Sequence, residues 1–172
     1  MKRVRLRGQG ERGSSEDFGG RQSDMLRASH KYQRETTRQS WPLLAFSVGG
    51  RRLAVKTVDV SGISLWNESI PVAGRTSFVT GLVRHGQTVL SVFDLAAFLR
   101  LTVQGSSPLC LRVKHPFGEM AICIDEEIPI LHTFDPATIQ PYQNKDLPAE
   151  GSYTNGLDEI PILSVSRLGS TV

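Results

Sequence analysis

The chain has 172 residues and a mass of 19.0 kDa, the size of one ordinary domain with room for a tail. Hydrophobic residues make up 39% and charged residues 22%, as in typical soluble proteins. No apolar run approaches the ~20 residues of a membrane-spanning helix, and no apolar segment follows the basic N-terminus as in a signal peptide. Two cysteines cannot form a disulfide framework, so the composition predicts a protein of the reducing cytoplasm with no membrane insertion.

Positive charge is concentrated at the N-terminus. Residues 1–40 hold ten Lys and Arg against five Asp and Glu, a net +5, whereas the rest of the chain holds ten against twelve, a net −2. This segment is rich in Gly, Ser, Gln and Arg and has almost no apolar periodicity, so we predict a disordered tail over 1–40, with a weak helix pattern from Ser23 to Arg38. Three interpretations of this tail stay open. It is a solvated segment, it lies upstream of a translation start at Met25, or its arginines bind RNA, DNA or anionic lipid.

From Trp41 onward the sequence has the pattern of short strands. Leu43–Val48 is a β-rich run, Gly49-Gly50 supplies the positive φ of a tight hairpin turn, and Arg51–Val58 follows as the second strand. Thr88–Phe93 is apolar enough for a buried strand.

Later segments continue the β pattern. After the predicted buried strand, Asp94 is well placed to cap a short helix that ends at Leu99. Leu109–Lys114 and Glu119–Ile124 flank His115–Gly118, which indicates a hairpin with a four-residue loop. Short strands with turn signals and no long amphipathic helix predict a mainly β fold of the sandwich or small-barrel type.

One sequence pattern occurs twice. Phe78–Leu82 leads to an apolar strand with Leu90-Ser91-Val92, and Tyr153–Leu157 leads to one with Leu163-Ser164-Val165. Each copy has an aromatic residue, two further residues, Gly, Leu and a turn before the strand. Two similar hairpins about 75 residues apart predict two related β subdomains, although so short a match also arises by chance.

The sequence contains no recognisable catalytic motif. The histidines have no zinc-type spacing, and there is no GxSxG, GxxxxGK[ST] or strand-linked GxGxxG pattern. Asp125-Glu126-Glu127 is the densest acidic cluster, but it directly follows a predicted strand and is interpreted as a solvated strand end rather than as metal ligands or a general base. We therefore predict no enzyme, no metal and no cofactor. The four histidines are His30, His85, His115 and His132.

The two cysteines belong to one predicted hairpin. If its loop is His115–Gly118, Lys114 faces Glu119 and Cys110 lies opposite Cys123. Side chains that are directly opposite have Cβ atoms ~4.5–5.5 Å apart. The expected state is two reduced thiols that act as small hydrophobes, and the alternative is a thiol-dependent redox pair.

Phe78–Gln87 followed by Thr88–Leu95 resembles the CheW-like domain of bacterial chemotaxis coupling proteins, in which Gly-Leu-apolar-Asn-x-Arg-Gly precedes a strand and Asp-Leu. Further motifs of that family occur in the expected order between Leu43 and Leu168. They are the opening hairpin (Leu44–Val55), two apolar positions of the Val-x-Glu-Ile/Val motif (Val60 and Ile63), the Pro-containing segment (Ile70–Val72), the strand that ends near an aspartate (Ile122–Ile128), and the closing hairpin and helix start (Tyr153–Gly156 and Ile162–Leu168).

The chain also departs from the family pattern. Between Gly81 and Gly86 it is one residue short, so either Arg84 or His85 must stand in for the family's arginine. Three other family residues are replaced, namely the glutamate after Val60 by Gly62, the proline of the second strand by Lys56, and the aspartate of the last helix by Ser164. These positions lie in or near surfaces that the family uses for partners. The pattern is typical of a divergent member with a different set of partners.

The resemblance implies two five-stranded β-barrels that pack together with a groove between them, over residues 41–172. It also implies a protein without catalytic activity that holds a methyl-accepting chemoreceptor's signalling tip and the regulatory domain of a CheA-type histidine kinase together. Receptor tips are helical hairpins, and an apolar groove accepts an amphipathic helix face. Flagellar chemotaxis, pilus-driven motility and second-messenger control are all outputs that such a protein serves.

The family's kinase contact involves the first barrel. By resemblance it maps onto Val60, Ile63, Gly81, Arg84, His85 and Gly86. Arg84 either adds a charge-assisted bond at this surface or is a solvated turn residue. The alternative function is a small β-barrel nucleic-acid-binding protein that uses the basic tail. The low aromatic content of 7%, with no clustered aromatic pair on one strand, argues against this alternative, because such proteins stack bases on aromatic side chains.

Overall fold

The computed structural model of the protein describes residues 39–73 and 78–170. The described residues from Gln39 onward belong to one compact unit. Apart from Gln39 and Ser40, the predicted tail with its Ser23–Arg38 helix lies outside the described residues. Within them, no helix is long and apolar enough to cross a membrane.

Strands dominate the described chain. In chain order the elements are β1 (Trp41–Val48), β2 (Arg51–Lys56), β3 (Val60–Leu65), β4 (Ile70–Pro71), β5 (Val79–His85), β6 (Thr88–Phe93), α1 (Leu95–Leu99), β7 (Leu109–His115), β8 (Gly118–Ile124), β9 (Ile130–Phe134), β10 (Ala149–Asn155) and β11 (Asp158–Leu163). Short 3-10 helices span Thr57–Asp59, Pro136–Thr138 and Val165–Arg167.

The strands form two sheets. Sheet one has the order β10-β11-β2-β1-β9, and sheet two has the order β3-β7-β8-β6-β5-β4. Hairpins make most of the pairs antiparallel, whereas β2 with β11 and β6 with β8 are parallel pairs between strands that are distant in sequence. The predicted mainly β fold with two packed β subdomains is confirmed. Sheet one has the predicted five strands, and sheet two has a sixth, the two-residue strand β4.

Buried side chains lie in three clusters, because the strands of each sheet place alternate residues on opposite faces. The largest cluster draws residues from both sheets and lies between them, with Phe46, Leu53, Phe93, Leu111 and Ile122 among its members. A second cluster belongs to sheet one and includes Leu43, Tyr153 and Ile162. The third belongs to sheet two and includes Val83, Leu90 and Ala121. Each sheet therefore has apolar side chains on both faces.

Local predictions for the hairpins and the helix hold with small changes of boundary. Asp94 caps α1 through a bond in which its side chain accepts the Ala97 N–H at 2.8 Å. The second strand ends at Lys56, before the predicted Val58, because a 3-10 turn begins at Thr57. His115 pairs with Gly118, so the predicted four-residue loop is a two-residue turn.

The internal repeat exists, but in a different register from the sequence match. The β5–β6 and β10–β11 hairpins have equal strand lengths and two-residue turns. Gly81 and Gly151 both lie at bulges near the start of each hairpin, and Gly86 and Gly156 both have positive φ in the turns. The match of Gly81 with Gly156 was therefore wrong, since a bulge glycine and a turn glycine look alike in sequence.

Candidate partner-binding surface

The predicted surface residues lie on β3 and β5 of sheet two, except Gly86, which is in the β5–β6 turn. Three strands separate β3 from β5 within the sheet. The chain that leaves β3 nevertheless returns to β5, where the Asn67 Nδ2 donates to the carbonyl oxygen of Arg84 at 3.3 Å. The end of β3 and the end of β5 are thus close in space.

On β3, the apolar side chains differ in exposure. Val60 is half-buried and packs against the cluster between the sheets. Ile63 is 40% exposed, and Leu65, two residues further on the same face, is 67% exposed. Leu65 is therefore a more accessible apolar contact than Val60, and the period-2 pattern of a strand was the signal that could have identified it.

Gly81 has an architectural role within β5. It is buried and pairs with Pro71 of β4. A Cβ atom at Gly81 would lie 2.7 Å from the carbonyl oxygen of Ile70, closer than real Cβ contacts. The glycine is required because the β4 backbone passes close to it, and no side chain is present to contact a partner.

Arg84 is the exposed cation of the predicted set. Its Nε donates to the carbonyl oxygen of Gly86 at 2.9 Å, which holds the side chain over its own hairpin turn. Gly86 has a φ of 58°, and the half-buried His85 pairs with Thr88 across the turn. Among the residues that the structure describes, no carboxylate forms a salt bridge with Arg84. Its guanidinium is available to a carboxylate of a partner.

Two exposed apolar residues near Arg84 were missed by the sequence reasoning. Val89 is directly opposite Arg84 and 60% exposed. Phe117, in the β7–β8 turn, is 95% exposed. An aromatic residue within a tight turn was the available signal for Phe117, because a two-residue turn leaves its side chain little structure to pack against.

The acidic cluster stabilises loops, and the prediction of a solvated strand end was wrong for Asp125. This residue is 4% exposed, and its carboxylate accepts the backbone N–H groups of Gly49 and Gly50 at 2.8 Å each and of Gln104 at 2.7 Å. Glu126 is exposed, yet it accepts the Ser106 N–H at 2.7 Å. The carboxylate of Asp125 is buried because it satisfies amide groups of two separate loops.

The two cysteines lie opposite each other as predicted, and both are free thiols. Burial raises the pKa of Cys123 to about 12 and also raises the pKa of Cys110. Because the thiolate is the reactive form, these shifts make both thiols less reactive at neutral pH. Their environment favours the reduced, hydrophobic role over the redox alternative.

Comparison with known proteins agrees with this architecture. The CheW-like domain family model matches residues 42–170. The crystal structure of the scaffolding protein TtCheW from Thermoanaerobacter tengcongensis is similar, with a TM-score of 0.65 and 15% identity over 77% of this chain and 94% of that chain. A search of curated proteins found no match. The structural likeness supports the fold, and the family model covers nearly all of the described residues, so the chain belongs to the CheW-like domain family.

Proposed function

We propose that this protein is a non-enzymatic adaptor of chemotaxis-type signalling in the cytoplasm. It couples the signalling tip of a methyl-accepting chemoreceptor to a CheA-type histidine kinase. The observation that carries the proposal is the family match over residues 42–170, which takes in both sheets. TtCheW, which has a similar fold, is itself described as a scaffolding protein.

The exposed apolar residues of sheet two support a role in protein binding. Ile63 and Leu65 project from β3, and Ile70 of β4 is 71% exposed. The two strands lie at opposite ends of the strand order of sheet two. A helical receptor tip presents an apolar stripe that suits such residues.

The groups that would most readily support chemistry are already occupied or inactive. Asp125 is held by three backbone amides, and the two thiols have raised pKa values. Within residues 39–73 and 78–170, no cluster of three His, Cys, Asp or Glu side chains could hold a metal ion. This arrangement supports an adaptor more than an enzyme.

The proposal is tested by isothermal titration calorimetry, which measures the affinity of the full-length protein for three ligands. The ligands are the CheA regulatory domain and a soluble receptor-tip fragment from the same organism, with single-stranded RNA as the third probe. We expect both protein ligands to bind with micromolar or tighter affinity. Binding of RNA in a salt-dependent manner, with neither protein ligand bound, would instead support the nucleic-acid alternative.

A further inference from the structure

We propose that a cleft at one end of sheet one binds a small aliphatic carboxylate, whose charged group is received by Arg52 and Tyr153. The alkyl part of the ligand lies against Ile128 and Ile130 at the rim. This inference goes beyond the adaptor function and does not depend on it, because the predicted partner-binding residues belong to β3, β5 and the β5–β6 turn of sheet two.

The cleft exists because sheet one curls. Its two outer strands are β9 and β10, yet the rings of Phe134 and Tyr153, one from each strand, have centroids 4.2 Å apart. Gln140, which follows β9 in the chain, pairs with Ser152 of β10 and closes this side of the sheet over part of its length. Beyond that pair the described residues form no further bridge, and the cleft lies there between β10 and Ile130 of β9.

The cleft accepts a group of only a few atoms. Its volume is about 30 Å³, at least twice the ~10–15 Å³ that one water molecule requires. Ala45 contributes no more than a methyl group to the lining, which leaves this space open. Ile128 and Ile130 also line the cleft and are 79% and 54% exposed, so they border its opening. These dimensions suit a carboxylate group inside and a short alkyl chain that extends to the rim.

The hydroxyl group of Tyr153 is an unused donor in the cleft. Tyr153 is 4% exposed, and no described residue forms a hydrogen bond with its hydroxyl, although buried tyrosine hydroxyls usually have a partner. Among the described residues, the only fully enclosed side-chain polar atom without a partner is the Arg112 Nε, so the Tyr153 hydroxyl is reached from the cleft. Burial raises the pKa of Tyr153, while the charge of Arg52 lowers it in part, so the hydroxyl keeps its proton at neutral pH.

Arg52 supplies a cation close to this hydroxyl. The β1–β2 register places Arg52 directly opposite Ser47. The Ser47 Oγ donates to the Glu127 carboxylate at 2.9 Å, and the nearest oxygen of that carboxylate is 3.9 Å from the Arg52 guanidinium, beyond hydrogen-bond length. About half of the Arg52 side chain is exposed. Its N–H groups are therefore available to a second carboxylate from solution, which Glu127 repels.

The polar groups of the lining indicate the chemical class of the ligand. Arg52, Tyr153 and the amide of Asn155 all offer hydrogen-bond donors, and the carboxylate of Glu127 already accepts the Ser47 hydroxyl. An ionised carboxylate has acceptor oxygens only, so it matches this set of donors. One arginine beside one glutamate favours a ligand with a single negative charge over a dianion, because each added charge increases the repulsion by Glu127.

The test is the dissociation constant of the ¹⁵N-labelled full-length protein for propionate, obtained from backbone amide shifts in an NMR titration at constant ionic strength. Propionamide is the matched control ligand, since it has the same shape without the charge. We expect saturable shifts at the cleft residues with propionate and at least tenfold weaker binding of propionamide. Butyrate should bind more tightly than acetate, because its longer chain contacts the exposed isoleucines.

Four variants test the assigned roles. Arg52→Gln should weaken propionate binding at least tenfold, and Tyr153→Phe at least threefold without a loss of thermal stability, since the hydroxyl has no partner among the described residues. Glu127→Gln should strengthen binding at least twofold, because it removes the repulsion. Arg100→Gln is the matched control for loss of one positive charge, since Arg100 is an exposed arginine after α1, and it should change the affinity less than twofold.

Several results would overturn the inference. They are propionate shifts that do not saturate or that lie outside the cleft, equal affinity for propionamide, and equal losses in Arg52→Gln and Arg100→Gln. Unchanged or weaker binding in Glu127→Gln would also contradict the placement of the carboxylate beside Arg52. None of these results affects the adaptor function, which the calorimetric titration with kinase and receptor fragments tests separately.

Discussion

The β5–β6 and β10–β11 hairpins have the same construction and different surfaces. In both, the bulge glycine allows another backbone segment to approach closely. The segment is at Ile70 for Gly81 and at Gln140 for Gly151, with carbonyl oxygens 2.7 and 2.9 Å from the position of an added Cβ. The comparison shows that these glycines serve the architecture of each hairpin, so any difference between the two surfaces comes from the other side chains.

Those side chains differ clearly between the two hairpins. In β5–β6, the outward pair is Arg84 and Val89, both of which are exposed. In β10–β11, the equivalent pair is Thr154 and Glu159, which are also exposed but polar. The repeated framework thus has the same turn and bulge positions in both copies, while the exposed pair is a cation with an apolar residue in the first copy and two polar residues in the second.

The largest effect is expected where the two sheets are joined. Asp125 follows β8 of sheet two and accepts amide groups from the β1–β2 turn of sheet one. Asp125→Ala removes a buried carboxylate that accepts three backbone N–H groups, so we expect a loss of about 3 kcal/mol in the free energy of unfolding. Urea denaturation, monitored by tryptophan fluorescence, measures this loss.

Asp125→Asn is the matched control for this prediction, because it retains one acceptor oxygen and should cost less. An unchanged denaturation midpoint in Asp125→Ala would show that these loops do not depend on the carboxylate.

Substitution of the bulge glycines should have the next largest effect. Gly81→Val and Gly151→Val each introduce atoms into space that a neighbouring backbone borders, so each should destabilise the fold by about 1–3 kcal/mol. Thermal unfolding of the two variants, monitored by circular dichroism, tests whether the two bulge glycines are equivalent. Destabilisation of only one of the two variants would contradict the claim that the two hairpins have the same construction.

Turn glycines should show a smaller and equal effect. Gly86 and Gly156 have φ values of 58° and 66°, and an added Cβ would contact nothing within 4 Å at either position. Gly86→Ala and Gly156→Ala should therefore cost about 1 kcal/mol each, from backbone strain alone. Chemical denaturation of both variants measures the loss in the free energy of unfolding. A loss larger than that of the bulge variants would contradict the assignment of Gly86 and Gly156 to open turns.

The effect that is smallest at neutral pH concerns the thiol pair, which lies in sheet two. The folded-state pKa of Cys123 is about 12, above its ordinary value of 9.0. A raised thiol pKa contributes stability that is complete below the unfolded pKa and is lost as pH rises from about 9 toward 12. The wild type should therefore lose more stability than Cys123→Ala between pH 8 and pH 10.5, measured by urea denaturation. Equal losses in the two proteins would contradict the burial of this thiol.

Local rules predicted much of the fold. The cap at Asp94 and the pairing of Cys110 with Cys123 follow from residues that are close in sequence, and both were predicted correctly. The burial of Asp125 depends on Gly49 and Gly50, more than seventy residues away, so no local pattern indicates it.

The candidate site was predicted less completely than the fold. The resemblance indicated Arg84, and Val89 lies opposite it in the β5–β6 hairpin, but the β7–β8 turn with Phe117 is brought near them only by the parallel β6–β8 pairing. Such a pairing joins strands that are distant in sequence, and strand alternation alone does not specify which strands become neighbours.

The central claim is that one protein joins a receptor to a kinase. The most direct measurement is cosedimentation of a CheA-type kinase with vesicles that carry the chemoreceptor, both from the same organism, with and without this protein. We predict that the kinase sediments only when the full-length protein is present, and that Arg84→Glu reduces the bound kinase while leaving receptor-bound adaptor unchanged. Equal kinase sedimentation in the presence and absence of the protein would contradict the coupling function.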